Sequence, residues 1–204
     1  MRLRRCGPDA VLVEVDSLSE VAAARAALTG LPGLVELVPA ARTVLVSFEP
    51  GSPGSRQVQA VLDQADLSAA PVGDSADVTL PVVYDGADLE LVAETAGLSV
   101  DEAIALHSSA DYTVAFCGFA PGFAYLTGLP ELLQQPRLGN PRTRVPTGSV
   151  GVAGEFTGIY PRSSPGGWRL VARLADDAAA LFDPTREPAA LLSPGDRVRF
   201  EVVS

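Results

Sequence analysis

The period of the apolar positions changes several times along the first part of the chain. Ala10-Val11-Leu12-Val13-Glu14-Val15 predicts a strand, and the Ala-rich stretch that follows to about Leu28 predicts a helix, capped by Ser17 or Ser19 and closed by Gly30. Leu34 to Val38 and Thr43 to Phe48 read as two short strands. Val58, Val61, Leu62 and Ala65 then fall at helical spacing within residues 56–65. The order β-α-β-β-α is the start of a ferredoxin-like split unit, a fold that binds nothing by virtue of its shape.

Between Ser68 and Asp77 the periodicity lapses into Pro, Gly, Ser and Ala. A domain boundary is expected there, separating an N-terminal α/β domain over residues 1–70 from a second domain over 71–204. In the second, Val78 to Tyr84 reads as a strand, residues 89–96 and 100–107 as short helices, and Tyr112 to Cys117 as another strand. From Gly118 onward Gly and Pro punctuate short β-like pieces, at 148–153, 168–174 and 196–203, which predict a small barrel or sandwich. The fold class is therefore α+β, and no internal repeat is visible.

Composition narrows the function. With 204 residues, 47% of them hydrophobic and 20% charged, the chain can bury a real core. No run of about eighteen apolar residues occurs, and the basic start reaches Asp9 before an apolar segment forms. A cytoplasmic protein that neither spans a membrane nor is secreted is expected. Cys6 and Cys117 stand far apart, outside any C-x-x-C or zinc-ligand spacing, so neither a disulfide framework nor a metal site is expected.

The net charge of -10 opposes non-specific nucleic-acid binding, which depends on neutralising phosphates. Glu94 to Glu102 carries the A-x-G-x-S look of a helix-turn-helix. Residues 85–102, however, hold six acids and no arginine, and would repel a phosphate backbone. All fifteen basic residues are arginines, which excludes Schiff-base, biotinyl and P-loop lysine chemistry in this chain. Any Ser-His-Asp or Cys-His arrangement within the chain must use its one histidine, His107. That residue closes an amphipathic helix, where the macrodipole favours imidazolium. It reads either as a satisfied histidine of the last turn or as a general base.

Charge is segregated. Arginines 137, 142, 144, 162, 169 and 173 face one acid, Glu155, so this stretch is +5 in a chain of -10. Guanidinium forks among Gly and Pro hold small anions; the competing reading pairs them with acids across the surface. Arg142 and Arg144 flank one residue, so in extended backbone they share a face and would grip one anion together. Gly118 to Leu126 sets three aromatics around Pro121-Gly122, a pair suited to a type II turn that lines a pocket or caps the core. Pro161 to Trp168 ends in the only tryptophan, after Gly and Ser residues that let a ligand approach the backbone; a core tryptophan is the competing account. Gly148-x-x-Gly151-x-x-Gly154 lacks the spacing and the strand-helix setting of a dinucleotide fingerprint.

Six segments in this order carry a resemblance: Gly118-Phe-Ala-Pro-Gly-Phe-Ala-Tyr-Leu126, Pro141 to Gly154, Thr157-Gly-Ile-Tyr-Pro161, Ser164-Pro-Gly-Gly-Trp168, Leu181-Phe-Asp-Pro184 and Pro194 to Phe200. They resemble the KipI family, which includes the B subunit of 5-oxoprolinase, the sporulation-kinase inhibitor, and the related allophanate hydrolase subunit 1 and urea carboxylase segments (carboxyltransferase-domain subdomain C/D-like). The match is close over residues 78–200 and loose before them.

The resemblance implies a cyclophilin-like β-barrel after the N-terminal domain. It also implies a composite site completed by a related KipA-like subunit, working with a third subunit that is LamB/YcsF-like. The implied reaction is ATP-driven opening of 5-oxo-L-proline to L-glutamate. ATP would sit in or be shared with a partner, Mg would accompany it, and the chain alone would be inactive. Around the substrate the resemblance places Phe119, Pro121, Phe123 and Tyr125, then Arg142, Pro146 and Ser149, then Tyr160, Ser164, Gly166, Gly167 and Trp168. Arg144 from the same carry-over, and His107 from its chemistry, are the catalytic candidates. Ala124 and Thr127 depart from the Pro and Gly of many relatives, and Val171-Ala172-Arg173 from a common Ile-Gly-Arg. The alternatives are an inhibitor of a sensor histidine kinase, which needs an exposed apolar patch, and an allophanate hydrolase or urea carboxylase role. Peptidyl-prolyl isomerase activity would follow from fold alone, a weak ground.

Overall fold

Residues 1–52, 54–68 and 75–203 are described by a computed structural model, in which the chain divides into Met1–Asp74 and Ser75–Ser204. The expected linker falls largely on residues 69–74, outside the described residues.

The first unit holds β1 (Arg2–Arg5), β2 (Ala10–Glu14), α1 (Leu18–Leu28), β3 (Leu34–Pro39), β4 (Thr43–Phe48) and α2 (Gly54–Leu62). Its strands form one antiparallel sheet in the order β1-β2-β4-β3. Alternation sends Val11, Val13, Val44, Val46 and Phe48 to a single face, where they bury against Val21, Ala24 and Leu28 of α1 and Val58 and Leu62 of α2. Ser17 caps α1 by accepting from the Glu20 N–H at 3.2 Å. The unexpected element is β1, whose three arginines around Leu3 hide it from a periodicity reading. Charges of this kind suit an edge strand, where they discourage pairing with another chain. Among the described residues no strand of this unit follows α2, and β1 fills the place beside β2.

The second unit holds β5 (Asp77–Val83), α3 (Leu89–Ala96), α4 (Val100–Ser108), β6 (Tyr112–Cys117), β7 (Ala124–Thr127), β8 (Arg142–Val145), β9 (Ser149–Ala153), β10 (Phe156–Ile159), β11 (Ser164–Gly166), β12 (Arg169–Leu174) and β13 (Arg197–Val202). Seven strands close into a barrel in the order β10-β7-β6-β13-β5-β12-β9, while β8 and β11 form a separate two-stranded ribbon. Of the expected barrel or sandwich, it is the closed barrel that forms, which leaves these seven strands no open edge. Leu80, Val82, Val114, Leu126, Val150, Val152, Ile159 and Val198 fill its core, joined by Val92 and Ala93 of α3 and Ala103 of α4.

His107 belongs to that core. It is 2% exposed, its ring lies 5.0 Å from Phe200, and both nitrogens are engaged. The Thr157 hydroxyl donates to the Gly151 carbonyl, leaving its oxygen to accept from His107 Nε2–H at 3.2 Å, while Nδ1 accepts from the Tyr84 hydroxyl at 2.7 Å. Burial pushes the imidazole pKa from 6.5 down to about 3. The helix macrodipole, worth at most about 2 kcal/mol, loses to desolvation. The histidine is neutral, satisfied and out of reach of solvent, which is the packing role and not the geometry of a general base.

A pH dependence follows. The folded pKa lies below the unfolded one, so the unfolded chain binds the proton first and stability falls as pH drops below about 6.5, by about 1.4 kcal/mol per pH unit until about pH 3. Denaturation at pH 7 and at pH 4.5 should show a larger acid loss for the wild type than for His107→Gln. Carboxylates common to both proteins cancel in that comparison. Equal losses would mean that the imidazole charges without penalty.

Candidate functional site

Strand alternation divides the side chains of β7, β9 and β10 between the two faces of the barrel wall. Leu126, Val150, Val152 and Ile159 point inward, whereas Phe123, Tyr125, Ala153, Phe156 and Tyr160 cluster outside. A bulge in β6 between Val114 and Phe116 resets its alternation, so that Phe116 joins the outer face opposite Tyr125 and stacks on it at 4.3 Å. An aromatic surface is thereby built on the outside of a filled barrel.

Two glycines shape that surface. Gly158 lies laterally between Gly151 and Tyr125 in the sheet. Neither glycine has a side chain to fill the wall, and Trp168 settles into the trough. A Cβ at Gly151 would lie 3.0 Å from Trp168 Cβ, and one at Gly158 would lie 3.1 Å from both Trp168 Cζ3 and Phe123 Cζ. Phe123 meets Trp168 edge to face at 5.6 Å and Tyr160 at 5.4 Å. The ribbon strand β11 passes so close over Tyr160 that a Cβ at Gly166 would fall on the phenol oxygen. That oxygen accepts the backbone N–H of Trp168.

The Gly118–Leu126 loop forms the expected type II turn: Phe123 N–H donates to the Ala120 carbonyl at 2.9 Å, with Gly122 at φ 82°. A Cβ on Gly122 would stand 2.7 Å from Phe182 Cβ, so the Leu181-Phe182-Asp183-Pro184 segment supports the turn from behind. Phe119 takes a left-handed backbone, φ 67°, with its ring 60% exposed and edge-on to Phe123 at 5.3 Å. For a bulky residue this conformation costs on the order of 1–2 kcal/mol.

These elements enclose a cleft of about 70 Å³ lined by Phe119, Phe123, Tyr125, Arg137, Tyr160, Pro165, Gly166, Gly167 and Trp168. Seven of these positions are among those implied by the resemblance. Arg137 and Pro165 are not. Arg137 sits in Gln135-Pro136-Arg137-Leu138, with no motif to mark it. It is carried to the cleft by the bond from Leu138 N–H to the Gly167 carbonyl at 2.7 Å, and its guanidinium lies 6.0 Å from the Trp168 ring centroid. Its place in the basic stretch was the only signal available. Burial raises the phenols of Tyr125 and Tyr160 above the usual tyrosine range, with Arg137 opposing the shift in both. Both stay protonated at neutral pH.

The remaining expected residues lie outside the lining. Pro121 is exposed at the corner of the turn, Pro146 is exposed after β8, Ser149 is buried in β9, and Ser164 lies in β11. Arg142 and Arg144 do not grip one anion together. Arg142 Nη2 pairs with Asp88 Oδ1 at 2.7 Å, and Arg144 Nε donates to Ser163 Oγ at 3.1 Å. The reason is tertiary, because Asp88 arrives from the start of α3, far back in the chain. Arg173 likewise pairs with Asp85 and Asp176, and Arg169 donates to the Pro136 carbonyl. Among the described residues no three His, Cys, Asp or Glu side chains are grouped to hold a metal, and no helix is long and apolar enough to cross a membrane.

Comparison with known proteins adds the relationship. The carboxyltransferase domain, subdomain C and D, matches residues 1–192. The chain is 40% identical over 177 residues to the B subunit of 5-oxoprolinase from Escherichia coli O157:H7, covering 85% of this chain and 80% of that protein. It is 35% identical over 208 residues to the B subunit of 5-oxoprolinase from Bacillus subtilis strain 168, covering 94% and 85%. Among solved structures, TTHA0988 superposes with a TM-score of 0.81 at 35% identity over 96% of this chain, which spans only 40% of the length of TTHA0988.

Proposed function

The chain belongs to the family of KipI and the 5-oxoprolinase B subunits, matched by the carboxyltransferase domain, subdomain C and D, and on that premise we propose that it is the B subunit of an ATP-dependent 5-oxoprolinase. It forms a composite site with a related KipA-like partner, acts with a LamB/YcsF-like partner in the cytoplasm, and contributes to the opening of 5-oxo-L-proline to L-glutamate. In this reading the closed barrel is the family's cyclophilin-like domain and the first unit its ferredoxin-like partner.

The observation that carries the reading is the aromatic cleft with a single guanidinium at its wall, assembled from segments that resemble the 5-oxoprolinase relatives. At about 70 Å³ it is far below the roughly 300–1,000 Å³ of sites for drug-sized ligands, and suits one compact molecule. An adenine nucleotide exceeds it, and the chain has no lysine for a P-loop. ATP and its Mg are therefore assigned to a partner or to a shared site. Water attacks an unstrained amide slowly, and ATP supplies the activation of its carbonyl. This chain's part is to bind and orient the ring, with Tyr125 and Tyr160 as protonated donors and the aromatic walls excluding water. That TTHA0988 carries the matched portion within a much longer chain supports a need for further protein around the site.

The test is assembly. Combined with its KipA-like and LamB/YcsF-like partners, the chain should support ATP hydrolysis that depends on 5-oxoproline, and it should support none by itself. Turnover by the chain alone, or an assembled complex indifferent to 5-oxoproline, would sink the reading.

A further inference from the structure

We propose that Arg137 and Trp168 form a carboxylate-binding subsite that selects small ring carboxylates, with the ring against the aromatic wall and the carboxylate on the guanidinium. The inference deepens the reading above, on which it rests for the identity of the natural ligand.

Among the described residues Arg137 is the only charged one lining the cleft. The other arginines of the basic stretch with described partners are committed elsewhere: Arg142 and Arg173 to carboxylates, Arg144 to Ser163 and Arg169 to Pro136. Among the described residues no carboxylate pairs with Arg137, whose contact is with the face of Trp168. A guanidinium held over an indole keeps its N–H edge for a planar anion, and a carboxylate matches that fork.

The arginine is also held in place. Pro136 O accepts from Arg169 Nε at 3.1 Å and Leu138 N–H donates to Gly167 O at 2.7 Å, so the backbone is tied on both sides of it. Its field reaches both phenols of the cleft, since it opposes the upward shift of Tyr125 and of Tyr160. One cation among aromatic walls and two neutral phenols balances one negative charge. A phosphate dianion would leave a charge desolvated without compensation. The small volume limits the rest of the ligand to about one ring, and Phe119, in its left-handed conformation, adds a largely exposed aromatic side chain to the lining.

Trp168 is the only tryptophan, so its fluorescence reports on the subsite directly. The purified chain is titrated with 5-oxo-L-proline, with cyclopentanecarboxylate, with 2-pyrrolidinone (the same lactam ring without the carboxylate) and with acetate, calorimetry serving as a second readout. The two ring carboxylates should bind saturably, and 2-pyrrolidinone and acetate at least about tenfold more weakly, the scale of one charged hydrogen bond. Arg137→Gln should lose about tenfold in affinity for the ring carboxylates with an unchanged melting temperature, and Arg137→Lys should recover only part of it. Equal binding by Arg137→Gln, equal binding of the neutral lactam, or no saturable response from the wild type would overturn the proposal. If cyclopentanecarboxylate binds through Arg137 and 5-oxo-L-proline does not, the subsite stands and the 5-oxoprolinase reading falls. If the assembled complex carrying Arg137→Gln turns over 5-oxoproline with an unchanged KM, the subsite falls and the enzyme reading stands.

Discussion

Asp88→Ala is expected to destabilise the barrel unit by about 3–5 kcal/mol, the range for removing one partner of a buried ion pair. Asp88 is 6% exposed, and one carboxylate oxygen accepts from Arg142 Nη2 at 2.7 Å while the other accepts from the Leu170 N–H at 2.7 Å. Its own N–H donates to the Leu170 carbonyl at 2.8 Å. Alanine would leave a buried amide and a half-buried guanidinium without acceptors, and each desolvated donor adds to the loss. Asp88→Asn, which can still accept from Leu170, should fall between the two. Arg142→Ala should also destabilise, because it strands the buried Asp88 carboxylate without its cation, but by less than Asp88→Ala, because the Leu170 N–H still donates to that carboxylate. Urea denaturation of the three variants checks the order. A loss below about 1 kcal/mol for Asp88→Ala would mean that the pair behaves as a solvated surface bridge.

Gly158→Ala is expected to lower stability by about 1–3 kcal/mol, as overpacking does, and to abolish the ring-carboxylate response of Trp168. The added Cβ would stand 2.9 Å from the Ala124 carbonyl oxygen and 3.1 Å from the Phe123 and Trp168 rings. The rings can tilt away, but the carbonyl belongs to β7, which pairs with β10 in the barrel wall. Relief at the rings moves Trp168 out of its trough, and relief at the carbonyl shifts the β7–β10 pair, which is the source of the lost stability. Gly139→Ala is the matched control, since a Cβ there meets nothing within 4 Å. Thermal melts and tryptophan emission should separate the two. A Gly158→Ala protein with wild-type emission and stability would show that the glycine pair does not set the position of Trp168.

Much of the fold was legible locally. The strands over 43–48 and 112–117 and the helices over 18–28, 89–96 and 100–108 stand within a residue of where periodicity places them, with Ser17 capping the first helix as expected, and the structure adds a left-handed Gly97 as the stop of the second and Ser99 as the N-cap of the third. The pieces without advance notice were β1, β7, β8, β10 and β11. Each is four residues or fewer, and too short to show a period. They are strands because other strands pair with them, some close by, as β2 with β1 and β9 with β10, and some farther along the chain, as β7 with β10 and β8 with β11.

The candidate site divides along the same line. The motifs that named Phe119, Phe123, Tyr125, Tyr160, Gly166, Gly167 and Trp168 bend the backbone locally, through the Pro121-Gly122 turn and through glycines that only a close approach requires, and these seven lie around one cleft. The arginines were a different problem. Sequence counts charges, but whether a guanidinium is free depends on which acid the fold brings to it. Asp88 reaches Arg142 from the start of α3 and Asp85 reaches Arg173 from just past the strand beside it, both from far back in the chain, whereas Arg137 is carried to Trp168 by a backbone bond to Gly167. His107 went the same way, its dipole reading overturned by burial that no local pattern announces. By itself, then, the amino-acid sequence determined the longer elements, the turn chemistry and the family, all of which are written in residues near one another. The tertiary structure alone decided barrel closure, the fate of each charge and the trough that holds Trp168, because electrostatics and packing act through space between residues far apart in the chain.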